Sequence, residues 1–313
     1  MVGTVDTARE PLARFRSDGV LRVSDAVDQG EVAALKGRFW HEVEQAFGIV
    51  EANPETWLTQ HDDSFGSPGR AARGRRLGGM NPVMANLVND GSLAKVQAGV
   101  HAQVAALFGP GRWEPLDRWY SLLSFPGDQS TWTVPRGSWH HDEPIVVGDP
   151  EPWSIFVFVF LDRVALETGP TMAVAGSHRR GEQIAIEHGV IDERQVRAFD
   201  RGLTPDPAAV RLLPVGELLP ALRSSDPWFA DLAAPSEGDD RDGSDGSDGR
   251  TQRFMDEGTV RGDIASRVVG MTGDAGDIVL FDPRCLHTPS ANVSTLPRQI
   301  LRLDFCRTTP PAS

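Results

Sequence analysis

Two kinds of hydrophobic spacing divide the chain. Between residues 10 and 118 apolar positions recur every three or four residues, the period of a helix resting on a core. After a short strand at 19–23 (GVLRV), Val32, Leu35, Phe39, Val43 and Phe47 share one helical face. Asp28 stands where its carboxylate can accept the N–H groups of that helix's first turn. Leu93, Val96, Val100, Val104 and Leu107 predict a second helix over 91–108, stopped by Gly109-Pro110-Gly111.

From Trp119 the period shortens to two. YSLLSFPG, SWHHDEPIVV, WSIFVFVFLDRV and PTMAVAG are short β-rich runs separated by Gly, Pro and Asp turns. Residues 154–161 are apolar on both alternating faces, as in a strand buried on both sides. A second β-rich block follows near the end: GDIVLFD, CLHTPSAN and PRQILRLDF. Strand blocks separated by a long insert suit a sandwich or barrel closed by chain-distant strands. The expectation is a mainly β fold with helices (α+β), folded as one domain over 1–313. It has a helical part at 10–118, barrel strands at 119–178 and 271–308, and an insert at 179–270.

The insert reads as mainly helical, as in IDERQVRAF and VGELLPALRSS. Within it, SEGDDRDGSDGSDGR has little to bury and predicts a mobile acidic loop at 236–250, making the insert a candidate lid. It lacks the EF-hand spacing that ends in Glu, so calcium binding is not expected.

Composition narrows the partners. A net charge of −13 gives no basic face for nucleic acid and no patch for an anionic membrane. The N-terminus has no apolar core of a secretory signal, and the longest apolar run, 155–161, is too short to span a bilayer. Cys285 and Cys306 cannot make a disulfide framework, so a reducing cytoplasm is expected. Among the 31 basic residues only Lys36 and Lys95 are lysines, a bias that accompanies GC-rich coding in bacteria. That context suggests specialised metabolism and a small-molecule substrate, handled by a monomer or homodimer.

Chemistry concentrates in two distant stretches. A facial site for iron(II) needs two imidazoles and one carboxylate, leaving positions open for co-substrate and oxygen. His140 and Asp142, at i and i+2 in SWHHDEP, would share one face of a strand, with His141 turned the other way. A second His-x-Asp, at His61-Asp62-Asp63, has neither a β-pattern around it nor a distal partner. GDIVLFDPRCLHTPSANVSTLPRQ then places His287 at the end of a β-rich run and Arg298 at the start of the next strand. A planar guanidinium there can grip the distal carboxylate of 2-oxoglutarate through two hydrogen bonds. Arg302, on the same strand face, competes for that role.

The order WHHD, LDRVALETGPTMAVAGSHRR, GDIVLFDPRCLHTPSANVSTLPR resembles the phytanoyl-CoA dioxygenase family of iron/2-oxoglutarate enzymes, over residues 12 to 308. The resemblance implies a double-stranded β-helix, a cupin-like jelly roll, with N-terminal helices outside. It implies His140, Asp142 and His287 as iron(II) ligands and catalytic centre, with Arg298 as anchor for 2-oxoglutarate and O2 as oxidant. Many members carry Ser two residues after the distal His; here Pro289 stands there, with Thr288 and Ser290 as alternative helpers. Related halogenases put a small residue where Asp142 stands, so halogenation is not expected.

Other residues have two readings each. Thr171 follows the Gly-Pro turn on an inward-reading strand and can contact co-substrate. Trp139 either walls the pocket or is core. Cys285 and His178 read as support behind the ligands or core, and Asn292 as a brace for the loop before Arg298. The expected reaction is hydroxylation of an unactivated C–H, with succinate and CO2 released. Desaturation, cyclisation and epimerisation share the same oxidant. A cupin-fold zinc or manganese isomerase or hydrolase and a non-catalytic binding protein are the rival classes.

Overall fold

The computed structural model describes residues 9–58, 76–79, 82–127, 131–234 and 247–309. The N-terminal part carries helices α1 (Arg9–Asp18), α2 (Gln29–Phe47), α3 (Pro82–Asn89) and α4 (Ala94–Phe108), with strands β1 (Val20–Val23) and β2 (Arg76–Gly79). The central block holds β3 (Trp113–Ser124), β4 (Ile145–Val146), β5 (Ser154–Phe160) and β6 (Thr171–Ala175). Next come α5 (Ser177–His188), β7 (Val190–Ile191), α6 (Glu193–Phe199), β8 (Arg211–Leu213), α7 (Leu218–Ser225) and α8 (Pro227–Leu232). They are followed by α9 (Ser247–Thr251), β9 (Thr259–Arg261) and β10 (Ile264–Gly270). β11 (Ile278–Phe281), β12 (His287–Pro289) and β13 (Arg298–Arg307) close the chain.

The strands form a jelly roll of two main antiparallel sheets. One runs β1-β11-β5-β13-β3-β2, the other β12-β6-β10-β9, and a small third sheet runs β4-β8-β7. β5 is central in the larger sheet, which accounts for its unbroken apolar sequence. Ile155, Val157 and Val159 face the helices and join Val32, Leu35, Phe39 and Val100 in one core. Phe156, Phe158 and Phe160 face the opposite way, into the barrel with Val279, Phe281 and Ile300. Each fully buried side chain of this size contributes about 1.5–3 kcal/mol, so a one-residue slip of β5 would be prohibitive.

The helical expectations hold for α2 and α4. Asp28 accepts the N–H groups of Gly30 and Glu31 at 2.9 and 3.1 Å, and Gly48 ends α2 in the left-handed region. α1 was not expected; its apolar content is small, and Phe15 is its buried anchor against Phe108.

Boundaries differ in three places. β2 lies in the part read as helical yet extends the larger sheet, whose opposite edge is the expected strand β1, and β3 begins at Trp113 rather than 119. β10 falls inside the stretch read as insert but pairs with β6, Val268 opposite Val174. Its Ile264, Ser266 and Val268 are buried between exposed neighbours, a period-two signal hidden by the helical pattern before it. Residues 235–246, most of the acidic stretch expected to be mobile, lie outside the described residues, as does His61-Asp62-Asp63; 247–250 belong to α9. The helices of the insert pack on the outer face of the smaller sheet, where Leu218, Leu222, Phe229 and Phe254 meet Met172, Val174 and Val268. Among the described residues no helix is long and apolar enough to cross a membrane.

Candidate metal centre

His140 does not sit in a regular strand, contrary to the i, i+2 strand expectation. It forms an isolated antiparallel bridge with His287 of β12, and residues 141–144 leave the ladder in a bend. The His140 N–H donates to the His287 carbonyl at 3.0 Å, and the return bond is 2.8 Å. Asp142 is set by its own N–H, which donates to the Pro283 carbonyl at 2.8 Å. The ligand-bearing loop is thus aligned by the distal segment 283–287, not by its own periodicity.

The side chains converge as expected. One ligand atom from each of His140, Asp142 and His287 lies within 4.8 Å of the others, a group able to hold a metal ion. His140 Nε2 is 3.7 Å from Asp142 Oδ1 and His287 Nε2 is 3.5 Å from Oδ2. Each imidazole is oriented by the carbonyl two residues before it: His140 Nδ1 lies 2.8 Å from Ser138 O, and His287 Nδ1 lies 3.1 Å from Cys285 O. With Nδ1–H donating to a carbonyl, the Nε2 lone pair of both rings is available to a metal. Two neutral imidazoles and one carboxylate are the donor set that suits iron(II), so the residues fit the ion.

Electrostatics support that donor set. Burial alone would raise the Asp142 carboxyl, but the His287 hydrogen bond and the charges of His287, His140 and Arg302 hold it below its usual value. His141 points away, as expected. Its Nδ1 lies 2.9 Å from Glu143 O, and its Nε2 accepts the Gly216 N–H at 2.9 Å. Burial lowers its pKa to about 4, so it is a neutral tie to the insert. Glu143 is lifted to about 8, first by burial, against the opposing pull of its Ser154 hydrogen bond.

Arg298 begins β13 on the same face as Ile300, which points into the barrel. It is buried, and its Nε donates to the Ser124 hydroxyl at 3.1 Å. Asn292 braces this corner: its Nδ2 donates to the carbonyls of Ser124 and Leu296 at 3.2 and 2.8 Å. The Gly-Pro turn of the sequence packs directly on that loop. Gly169 has φ +78°, and a Cβ there would lie 2.7 Å from the Asn292 nitrogen.

The remaining expected residues separate. Thr171 pairs with Pro289 of β12 and lies on the face of β6 that carries Ala173, the partner of His287, into the barrel. Thr288 donates its hydroxyl to Gly137 O at 3.0 Å, and Ser290 donates to Pro170 O at 2.7 Å, so both tie down neighbouring loops. Trp139 belongs to the core beneath the insert. The buried Cys285 thiol meets His178 Nδ1 at 3.1 Å and reaches the ligand only through its backbone carbonyl. Arg302 is paired with Asp304 and lies against the rings of Tyr120 and Phe156.

Sequence reasoning missed Arg250. Its guanidinium donates to the carbonyls of Val134, Pro135, Asp231 and Leu232, joining the segment before His140 to the end of α8. Nothing in an arginine at the end of an acidic, low-complexity stretch announces such a clamp.

Comparison with known proteins accords with this architecture. The family model for phytanoyl-CoA dioxygenase (PhyH) matches residues 15–300. Among proteins with curated descriptions, none matches the sequence. Among solved structures, EvdMO1 superposes with a TM-score of 0.50 at 15% identity, over 96% of this chain and 50% of that one. The non-heme alpha ketoglutarate dependent epimerase SnoN from nogalamycin biosynthesis gives 0.49 at 18% identity, over 97% and 84%. AviO1 from Streptomyces viridochromogenes Tue57 gives 0.48 at 19% identity, over 100% of both chains. At such identities the likeness concerns the fold. The family match spans nearly the whole chain and includes both stretches that build the centre; the chain therefore belongs to the phytanoyl-CoA dioxygenase family and is a non-haem iron enzyme dependent on 2-oxoglutarate.

Proposed function

We propose that this enzyme oxidises a small organic molecule at an unactivated C–H bond, with His140, Asp142 and His287 as the iron(II) ligands and Arg298 as the anchor of 2-oxoglutarate. The observation that carries the assignment is the convergence of three ligand atoms within 4.8 Å from two segments far apart in sequence. Arg298 is preferred to Arg302 because its spacing, eleven residues after His287, and the family pattern of His followed by Asn and Arg both favour it. When bound, iron and 2-oxoglutarate supply an oxidant made from O2, as the ketoacid loses CO2 and becomes succinate.

The chain's own residues orient and enclose. Ser138 O and Cys285 O fix the two imidazoles, while the Pro283 carbonyl fixes the backbone of Asp142. Phe281 packs edge-on against His287, ring centroids 4.9 Å apart, and with Phe156 and Phe158 excludes water from that side. Hydroxylation is the default outcome; desaturation, cyclisation and epimerisation depend on how the substrate is held. A substrate from specialised metabolism fits the sequence context.

The test is direct. Purified protein should bind one equivalent of iron(II), and candidate small molecules should be screened for stimulation of succinate release. Failure to bind iron or to consume 2-oxoglutarate would refute the assignment.

A further inference from the structure

Arg302 and Asp304 form a charged pair inside the barrel that neither the metal ligands nor the ketoacid anchor employ. Both lie on the face of β13 that also carries Arg298 and Ile300. Register places Arg302 beside Tyr120 of β3 and Phe158 of β5, with Asp304 beside Phe156. The guanidinium carbon lies 4.0 Å from the centroid of the Phe156 ring and 4.3 Å from that of Tyr120. A planar cation packed against two rings loses its rotamer freedom before any ligand arrives and presents its N–H edge.

The pairing with Asp304 is incomplete. Arg302 Nη2 donates to Asp304 Oδ2 at 3.1 Å. Nε is 2.9 Å from Oδ1, yet neither atom makes a hydrogen bond among the described residues, although both are buried. Buried polar atoms left in this state favour a ligand that completes them.

The location points to substrate. Rings run continuously from the pair to the metal centre: Phe156 meets Phe281 at 6.3 Å, and Phe281 meets His287 at 4.9 Å. On β3 the side facing this chamber is open, with Arg118 exposed and Tyr120 and Leu122 half-buried, while Trp119, Ser121 and Leu123 on the opposite side are buried.

Resting on the iron/2-oxoglutarate reading, we propose that Arg302, backed by Asp304, is the substrate-recognition element, binding the carboxylate of a ring-bearing organic acid whose apolar body lies against the half-buried Tyr120 and Leu122 of β3. The pair sets specificity: an acid is held by the guanidinium edge, and its neutral analogue is not.

The experiment uses the full chain loaded with manganese(II) and saturating 2-oxoglutarate, which occupies the anchor site. Isothermal titration with 2-naphthoate and with neutral 2-naphthamide reads the preference for an acid. The wild type should favour naphthoate roughly tenfold or more, the range of a charge-assisted hydrogen bond. Arg302→Gln should abolish that preference with 2-oxoglutarate affinity unchanged. Asp304→Asn, which frees the guanidinium, should tighten naphthoate several-fold and serves independently should Arg302→Gln not fold. No binding of naphthoate, equal binding of acid and amide by the wild type, or an intact preference in Arg302→Gln overturns the proposal. So does loss of 2-oxoglutarate affinity in Arg302→Gln, which would make Arg302 the anchor. If the wild type itself fails to bind 2-oxoglutarate, the parent reading falls instead.

Discussion

His140 and His287, 147 positions apart in the sequence, exchange both backbone hydrogen bonds across an isolated bridge, at 3.0 and 2.8 Å. Their rings emerge on one side with centroids 4.2 Å apart. The two imidazoles are therefore placed by main-chain pairing, before any metal is bound. Pre-organisation of this kind lets a metal bind without first ordering its ligands.

Removing any ligand should empty the centre. His140→Ala, Asp142→Ala and His287→Ala should each lower iron affinity and succinate formation at least roughly a hundredfold, since even partners behind a ligand are worth about 10–100-fold. Iron content and oxygen-dependent ketoacid turnover are the readouts. Normal turnover in two of the three would remove the triad assignment.

Arg298→Gln should raise the dissociation constant of 2-oxoglutarate by roughly tenfold or more, equivalent to about 1.5–3 kcal/mol for a charge-assisted contact, while leaving metal affinity as it was. Calorimetry on the metal-loaded protein separates the two. An unchanged constant would move the anchor elsewhere, Arg302 first.

Gly169→Ala should act through the Asn292 loop. The left-handed φ of +78° and the 2.7 Å approach to the Asn292 nitrogen leave no room for a methyl group. A loss of about 1–3 kcal/mol in stability is expected, with weaker 2-oxoglutarate binding because Asn292 braces Ser124 beside Arg298. Gly137→Ala, where nothing lies within 4 Å, is the matched control and should be silent. Equal effects of the two would remove the steric account.

Arg250→Gln should loosen the approach to His140. Burial lowers the Arg250 pKa only to about 10, so it remains charged at neutral pH and binds four carbonyls. Faster amide exchange is expected in 131–139 and at the end of α8. Exchange confined to 247–257 would mean that the clamp does not reach the ligand loop.

Glu143 predicts a pH dependence of stability. Burial lifts its folded pKa to about 8 from an ordinary 4.5, so the folded chain keeps a proton that the unfolded chain releases. That contribution is whole below about pH 4.5 and is lost as pH rises through about 8. His141 has the opposite sign: with its folded pKa lowered to about 4, its contribution is present above 6.5 and lost as pH falls. Glu143→Gln should therefore show a smaller fall in unfolding temperature than the wild type from about pH 5 to pH 8. Parallel curves would assign the wild-type trend to other groups.

Much of this protein is legible in order and spacing alone. The apolar run of β5, the capped face of α2 and the Arg298 that opens β13 are local patterns, and periodicity reports burial directly. The residue types of the centre are legible for the same reason, since a facial iron site needs two imidazoles and a carboxylate whatever the fold.

What the sequence could not decide depends on contacts between segments distant in the chain. His140 was expected to be aligned by its own strand; the structure aligns it through His287. β10 reads as part of a helical insert until β6 is there to pair with it. Arg250 and Asp304 carry no local signature, because a charged residue becomes a clamp or an ion-pair partner only through what closes around it. Sequence determined which atoms could do the chemistry, through periodicity and donor type. Only the tertiary fold decided which of them meet, because non-local hydrogen bonds and burial depend on partners that spacing along the chain does not specify.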